Sequence, residues 1–550
     1  MKKFYKKEYL VLLFIVLVFL GLRLPAVHFP YHQDEYKWPL YSDESVYPPG
    51  SVPHPPLTEY IYRVLAPNLG YNNFRFMPLI FSIANLLLLY YLVRNLYGKK
   101  VAIVAGTFFA VSYYSILASL MIDVDGAVMP FFYLTSLIGY FKFRDSGWKD
   151  WKWGVVMLLG ITGGFLVKVS GILPTIAIAL DFALEKKVFE DKRRIFKYLF
   201  YGVCCAVGFV LLLLIIKFIF PFFNLEKALV YWKHFAVING RGWTQTFIQL
   251  IKALLYLSPL FVLIPIIAIK DVWKGTRVFY LFIFVGLIFY ILAFDFSLGA
   301  LDRYLEFLII PTLVISAVFL TSEKVDFSGV RKRYITIVAF ILLGITLLQG
   351  ISQYVPPLHP KTEWISRAIS LKWNFLYPFF GGSGPTGFYI SFTYIGFMWI
   401  LGFILVGLYL FQNKNKTTFL IALVLLGLVY NFNFTQEYLL GTNNGSAPRQ
   451  AMKAIEYIKS NPDIKKVLVY NDLGGYSIRQ IGKYERRLYA VPGFEPTYEE
   501  VFKNFSGHLL YIDIPKVPKD TIYEKYIDSC LPVYQDKDKY ITSIVYDCRK

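Results

Sequence analysis

Cysteine is scarce, with four residues in a chain of 550. Cys204 and Cys205 are neighbours inside an apolar run, where they read as small core residues. A disulfide-framed secreted scaffold is therefore excluded. Cys530 and Cys548 lie in a polar tail and can pair if that tail sits in an oxidising compartment. Acids are also few, 37 against 57 Lys and Arg, for a formal net charge of +20. In a soluble protein that excess would suggest nucleic acid. Here the basic residues fall in short clusters between apolar runs, as cytoplasmic loops do, and no nucleic-acid partner is expected. The first hydrophobic span lacks a small-residue cleavage site and runs on into Leu22-Arg23-Leu24-Pro25, so no removable signal is expected. No internal repeat is visible. What remains in abundance is hydrocarbon: 56% of residues are hydrophobic and the mean hydropathy is +0.49. A water-soluble chain of this length could not hide so much apolar surface, which makes the bilayer its solvent.

Lys2, Lys3, Lys6 and Lys7 precede a first apolar run from Leu10 to Leu22, which predicts a cytoplasmic N-terminus. Later runs fall near 76–93, 101–119, 126–141, 153–168, 170–184, 198–220, 246–269, 278–295, 304–320, 334–350, 389–411 and 418–432. That predicts about 13 transmembrane helices, with 11 as a lower count because several runs are short. With the N-terminus inside, each inner loop is basic, from Arg94/Lys99/Lys100 to Lys414/Lys416, and most outer loops are less so. The expected fold is a polytopic α-helical membrane protein. Residues 1–445 form the transmembrane domain, with an outer loop at 23–75. Residues 446–550 form a small α/β domain outside the cytoplasm. Within that tail a helix is predicted at Gln450–Ser460, and strands at Lys466–Tyr470, His508–Ile512 and Tyr540–Tyr546. An interfacial helix is predicted within Thr362–Leu376.

The same outer face collects the unusual polar residues. The 23–75 loop holds two acid pairs, Asp34-Glu35 and Asp43-Glu44, followed by His54-Pro55-Pro56-Leu57. Asp123-Val124-Asp125, Lys168 and Arg303 fall at the same depth, at the ends of other spans. Ionisable groups at membrane depth are costly and mark polar cavities or pathways. Acids and bases converging on one face suggest a chamber that binds an anion and moves a proton. His234 and His359 read as solvated loop residues.

The ordered set resembles the C-type membrane glycosyltransferases, specifically the protein O-mannosyltransferase and aminoarabinose-transferase group. The residues that carry the likeness are Leu22-Arg23-Leu24-Pro25, Asp34-Glu35, His54-Pro55-Pro56-Leu57, Phe74-Arg75-Phe76-Met77-Pro78 and Leu96-Tyr97-Gly98. Ser119 to Asp125, the Lys168 turn and Arg303-Tyr304 complete it, over roughly the first 310 residues. The resemblance implies an inverting transfer of a sugar from a polyprenyl- or dolichyl-phosphate carrier to an acceptor hydroxyl on a protein, lipid or glycan. It implies Asp34 as general base with Glu35 orienting it or meeting the acceptor. Arg75, Asp123, Asp125 and Tyr304 are counted with the substrate-binding set, while Lys168, Arg303 and His54 attend the lipid phosphate. The family's Ser-Arg pair is Ser119-Leu120 here, so one expected cation is absent. Asp43-Glu44 is the alternative acid pair; Asp34 is preferred because it lies nearer the first helix.

No cofactor is required by this reading. Two carboxylates at Asp123 and Asp125 leave a divalent cation open, although acceptor positioning fits the resemblance better. A metal-dependent oligosaccharyltransferase is the second reading, but its Trp-Trp-Asp-Tyr-Gly signature does not occur. A non-enzymatic lipid or glycolipid transporter is the third, disfavoured by the absent repeat and by acids gathered on one face. The expected location is the plasma membrane.

Overall fold

The computed structural model describes the chain except residues 1, 51–53, 71–72, 222, 225, 228–229, 231–241, 294–302, 324, 326–329, 352–361, 380–385, 413–414, 491–493 and 550. His234 and His359 lie outside the described residues.

Among the described residues, seven helices are long and apolar enough to cross a membrane: Glu8–Ala26, Phe76–Tyr97, Pro259–Leu292, Arg303–Leu320, Lys332–Gly350, Phe392–Phe411 and Lys416–Leu440. Lys99–Val111 and Tyr113–Leu120 make an eighth if the pair, bent by 63°, counts as one span. Shorter apolar helices include Trp151–Val167, Val210–Ile219 and Thr246–Tyr256. The protein is a multi-pass membrane protein. One pair of expected spans is cut differently. The helix Trp243–Tyr256 ends at Leu257, because Pro259 can only open a new helix and constrains Ser258 before it. The next helix then runs from Pro259 to Ile288 through the expected inner loop, broken only at Thr276 (φ −118°, ψ 15°).

The chain packs as two compact units. The first comprises residues 1–21, 37–257 and 264–325; the second comprises 22–36, 258–263 and 326–550. In the first, Val128–Asp145 and Trp151–Val167 form a helical hairpin in which backbones touch. A Cβ on Gly139 would lie 2.3 Å from Met157 N, and one on Gly160 would lie 2.4 Å from Ser136 N. In lipid, where apolar surface gives no drive to associate, such small-residue contact is what holds helices together. Toward the other end of the hairpin, Asp181 accepts from Tyr140 Oη at 2.6 Å and from Arg277 Nε at 2.6 Å, tying three helices together.

The second unit carries a five-stranded sheet in the order β4 (Tyr484–Leu488), β3 (Val467–Tyr470), β5 (His508–Ile512), β7 (Ile541–Asp547), β6 (Leu531–Asp538). The first three strands are parallel and the last two antiparallel. Cys530 and Cys548 are joined by a disulfide. Beside the sheet, β1 (Leu376–Phe379) and β2 (Phe388–Ser391) form a ribbon whose Leu376 and Tyr389 enter the sheet's core. The helix expected within Thr362–Leu376 runs over Thr362–Ile369 and ends ahead of Leu371, whose φ of 57° leaves the helical region.

Candidate functional site

In the first unit the loop 121–127, between Tyr113–Leu120 and Val128–Asp145, carries Asp123 and Asp125. Both are buried. Lys168 reaches this loop because it breaks its own helix: it caps Trp151–Val167 in an extended conformation (φ −157°, ψ 144°) before a 3₁₀ turn at Val169–Gly171. Its Nζ donates to Asp125 Oδ1 at 2.8 Å and Oδ2 at 2.5 Å. Arg303 opens another 3₁₀ turn, Arg303–Leu308. Its Nη1 donates to Asp123 Oδ2 at 2.7 Å and its Nη2 to Tyr304 Oη at 2.7 Å. The Tyr304 ring lies between the cations, 4.6 Å from Lys168 Nζ and 4.7 Å from the Arg303 guanidinium carbon. Tyr62 Oη donates to the Asp123 carbonyl at 3.1 Å.

Electrostatics follow from this packing. Burial alone would raise the Asp123 carboxyl, but Arg303 and then Lys168 overrule it and hold the group below the usual carboxylate range. Burial opposes the Lys168 ammonium, yet Asp125 keeps it charged, above the usual lysine range. His54 stacks on Trp38 with ring centroids 5.7 Å apart. Burial, then the Lys168 cation, lowers its pKa to about 3, so it stands as a neutral imidazole near neutral pH.

A cleft of about 40 Å³ opens beside the cluster, lined by Asp125, Arg303, Tyr304 and Glu306 on one side and by Met129, Tyr133 and Phe307 among the apolar groups. That is room for a few waters, far less than the several hundred Å³ of a ligand pocket. It is narrower than the chamber expected from the sequence, since Lys168 and Arg303 fold inward onto Asp125 and Asp123.

Of the residues singled out in the sequence, His54, Asp123, Asp125, Lys168, Arg303 and Tyr304 thus meet in one unit. Arg75 is fully buried and its Nη1 donates to the Leu120 carbonyl at 2.8 Å, so it pins the start of the acidic loop. Asp43 accepts from Ser45 N at 3.0 Å and Ser45 Oγ at 2.5 Å, closing its own turn, and Glu44 is exposed. Asp34 and Glu35 belong to the second unit, where Glu35 is buried and accepts from His32 N at 3.1 Å. Among the described residues, no three His, Cys, Asp or Glu side chains cluster as a metal site. Sequence reasoning missed Glu306, which is buried with Oε2 against Gly126, where a Cβ would approach it to 2.4 Å. An acid three residues after Arg303 in an apolar stretch is the signal that could have found it.

Residues 53–216 match the family model described as dolichyl-phosphate-mannose-protein mannosyltransferase. No curated protein matches the chain. Among solved structures, ArnT from Cupriavidus metallidurans bound to undecaprenyl phosphate superposes with a TM-score of 0.53 at 12% identity, covering 98% of this chain and 97% of that one. Its apo state gives 0.52 at 13% identity over the same shares. The chain has the fold of the C-type membrane glycosyltransferases. Within that C-type fold the family match contains His54, Arg75, Asp123, Asp125 and Lys168, and leaves Asp34, Glu35 and Arg303 outside it. The oligosaccharyltransferase of Archaeoglobus fulgidus in the apo form has a TM-score of 0.45 at 12% identity, over 92% of this chain and 69% of its own.

Proposed function

We propose that the chain is an inverting glycosyltransferase that moves a sugar from a polyprenyl-phosphate carrier to an acceptor hydroxyl at the non-cytoplasmic face. The observation that carries this reading is a pair of part-buried cations, Lys168 and Arg303, each held by a buried carboxylate beside an apolar-walled cleft. A lipid phosphate needs both parts, a charged end and a greasy approach. The match over residues 53–216 and the undecaprenyl phosphate bound by ArnT support the same substrate class.

In this reading the acceptor oxygen attacks the anomeric carbon from the face opposite the carrier. Asp34 takes the hydroxyl proton as that bond forms. The sugar–phosphate C–O bond breaks and its electron pair leaves on the phosphate, whose growing charge falls to Lys168 and Arg303. Neutral His54 contributes a hydrogen bond without adding charge. Glu35, held by His32, orients the turn that bears Asp34. The chemistry as written requires no metal; activity lost on chelation would instead favour the oligosaccharyltransferase reading.

The test is sugar transfer by the full chain in nanodiscs, with a panel of polyprenyl-phosphate sugars as donors. Asp34→Asn is expected to stay folded and bind undecaprenyl phosphate while transfer falls by at least about a hundredfold. Normal turnover by that variant moves the base elsewhere. Substrate flux without transfer by the wild-type chain refutes the enzyme reading.

A further inference from the structure

The loop after β3, Asn471-Asp472-Leu473-Gly474-Gly475, occupies the place where an open α/β sheet ordinarily takes its ligand. It lies beyond the carboxyl end of a parallel strand whose neighbours, β4 and β5, sit on opposite sides of it. The loop is strained. Asn471 and Asp472, with φ of 50° and 58°, carry the strain, while Gly474 takes its φ of 82° freely. Its shape is specified closely: a Cβ on Gly475 would lie 2.1 Å from Asp472 Oδ1, which accepts from Tyr484 Oη at 2.9 Å. Backbone strain of this kind persists only where its surroundings hold it, and it gathers at functional places.

What this loop meets is Tyr31, in the chain's own segment 29–36. Gly474 N–H donates to the Tyr31 carbonyl at 3.0 Å. The Tyr476 ring meets the Tyr31 ring at 5.1 Å, with both side chains nearly closed to solvent. Thr386 Oγ1 donates to the Pro30 carbonyl at 3.3 Å, and Tyr438 packs edge-on against Phe29 at 5.9 Å. One residue further on, the turn closes on itself: His32 N–H donates to Glu35 Oε2, and Glu35 N–H donates to the His32 carbonyl, each at 3.1 Å. Asp34 sits inside that turn, half-buried.

We infer that the C-terminal α/β module is a positioning part for the acidic turn. Its ligand-binding end is spent on Tyr31, and through Tyr31 it fixes where Asp34 points. Tyr476 and Gly474 are then positioning residues, and the module is no acceptor-binding domain. The inference rests on the proposed glycosyl transfer only for the role of Asp34 as base; the clamp itself stands on geometry.

The experiment uses the full chain in nanodiscs with Tyr476→Ala, Tyr476→Phe, Tyr31→Leu, the Tyr476→Ala/Tyr31→Leu double variant and Asp34→Asn. Four quantities are read: hydrogen exchange of the amides at 32–36, kcat for transfer, acceptor KM, and binding of undecaprenyl phosphate. For Tyr476→Ala the expected result is roughly tenfold faster exchange at 32–36 and at least a roughly tenfold lower kcat. Acceptor KM and undecaprenyl phosphate affinity should not change, since a small misplacement of a catalytic group acts on turnover. Tyr476→Phe keeps the ring and should match the wild type. Tyr31→Leu cuts the same contact from the other side without altering the module, and the double variant should be no worse than either single one. Unchanged exchange at 32–36 in both Tyr476→Ala and Tyr31→Leu overturns the clamp. So does a loss confined to acceptor KM, which would make the module an acceptor site. If Asp34→Asn retains turnover while the exchange still rises, the clamp stands and the base assignment fails. If Asp34→Asn is dead but Tyr476→Ala changes neither exchange nor kcat, the clamp alone fails.

Discussion

Asp125→Asn should tighten the binding of a lipid phosphate. Lys168 and Arg303 are each matched by a carboxylate, so the two cations and two acids of the cluster sum to no net charge. An entering phosphate must share Lys168 with Asp125, whose two oxygens lie 2.8 and 2.5 Å from Nζ. With the phosphate on the same ammonium, the carboxylate would stand about 5 Å from it. Two unit charges at that distance repel by about 3 kcal/mol at an effective dielectric constant near 20. Relaxation and the weaker grip of an amide on Lys168 reduce this to roughly 1–2 kcal/mol, or about 5–30-fold in affinity. Asparagine keeps an oxygen to accept from Nζ, so the lysine should not lose its position, and Asp123 together with the entering phosphate takes over from Asp125 in keeping the ammonium charged. Undecaprenyl phosphate titrated into wild-type and Asp125→Asn protein in nanodiscs reads the difference directly. Equal or weaker binding by the variant would mean that phosphate does not meet Lys168, and the reasoning fails.

Asp181→Ala leaves part-exposed Arg277 only the residue-181 carbonyl and takes the acceptor from the Tyr140 hydroxyl, at an expected cost of about 1–3 kcal/mol. A fall in thermal midpoint in detergent checks this. Gly160→Leu forces a side chain into the backbone around Ser136 and should prevent the hairpin from closing, read as loss of monodisperse protein. Burial raises the Asp513 carboxyl from 3.8 to about 6 against the Thr542 N–H and Lys516. Between those values the folded chain keeps a proton that the unfolded chain has lost. Stability of the sheet therefore falls as pH rises from about 4 to about 6, by at most roughly 3 kcal/mol. Asp513→Asn should flatten that dependence in calorimetric melts of the full chain at pH 4.5 and 7.

Much of this was legible because membrane solvent simplifies the grammar. Long apolar runs such as Phe76–Tyr97 and Lys416–Leu440 have few alternatives to a spanning helix. The central strands β3, β5 and β7 showed through for a related reason, since a buried strand must be apolar. The edge strands did not. β4 reads Tyr484-Glu485-Arg486-Arg487-Leu488 and β6 ends in Gln535-Asp536-Lys537-Asp538, because edges are kept polar to discourage further pairing. At the site, the charged residues could be named from depth alone, but their pairing could not. That Lys168 faces Asp125 while Arg303 faces Asp123 depends on a helix break at Lys168 and on the 3₁₀ turn at Arg303. The turn after Lys168 showed in the gap between the 153–168 and 170–184 runs, but which acid each cation meets is set by tertiary packing.

The central claim is that a lipid phosphate is received by Lys168 and Arg303. A cryo-electron microscopy structure of the full chain in nanodiscs with undecaprenyl phosphate tests it most directly. Phosphate oxygens are expected within about 3 Å of Lys168 Nζ and the Arg303 guanidinium, with the Asp125 pair loosened and the lipid tail leaving past Met129 and Phe307. Phosphate bound elsewhere while both ion pairs stay closed would contradict it.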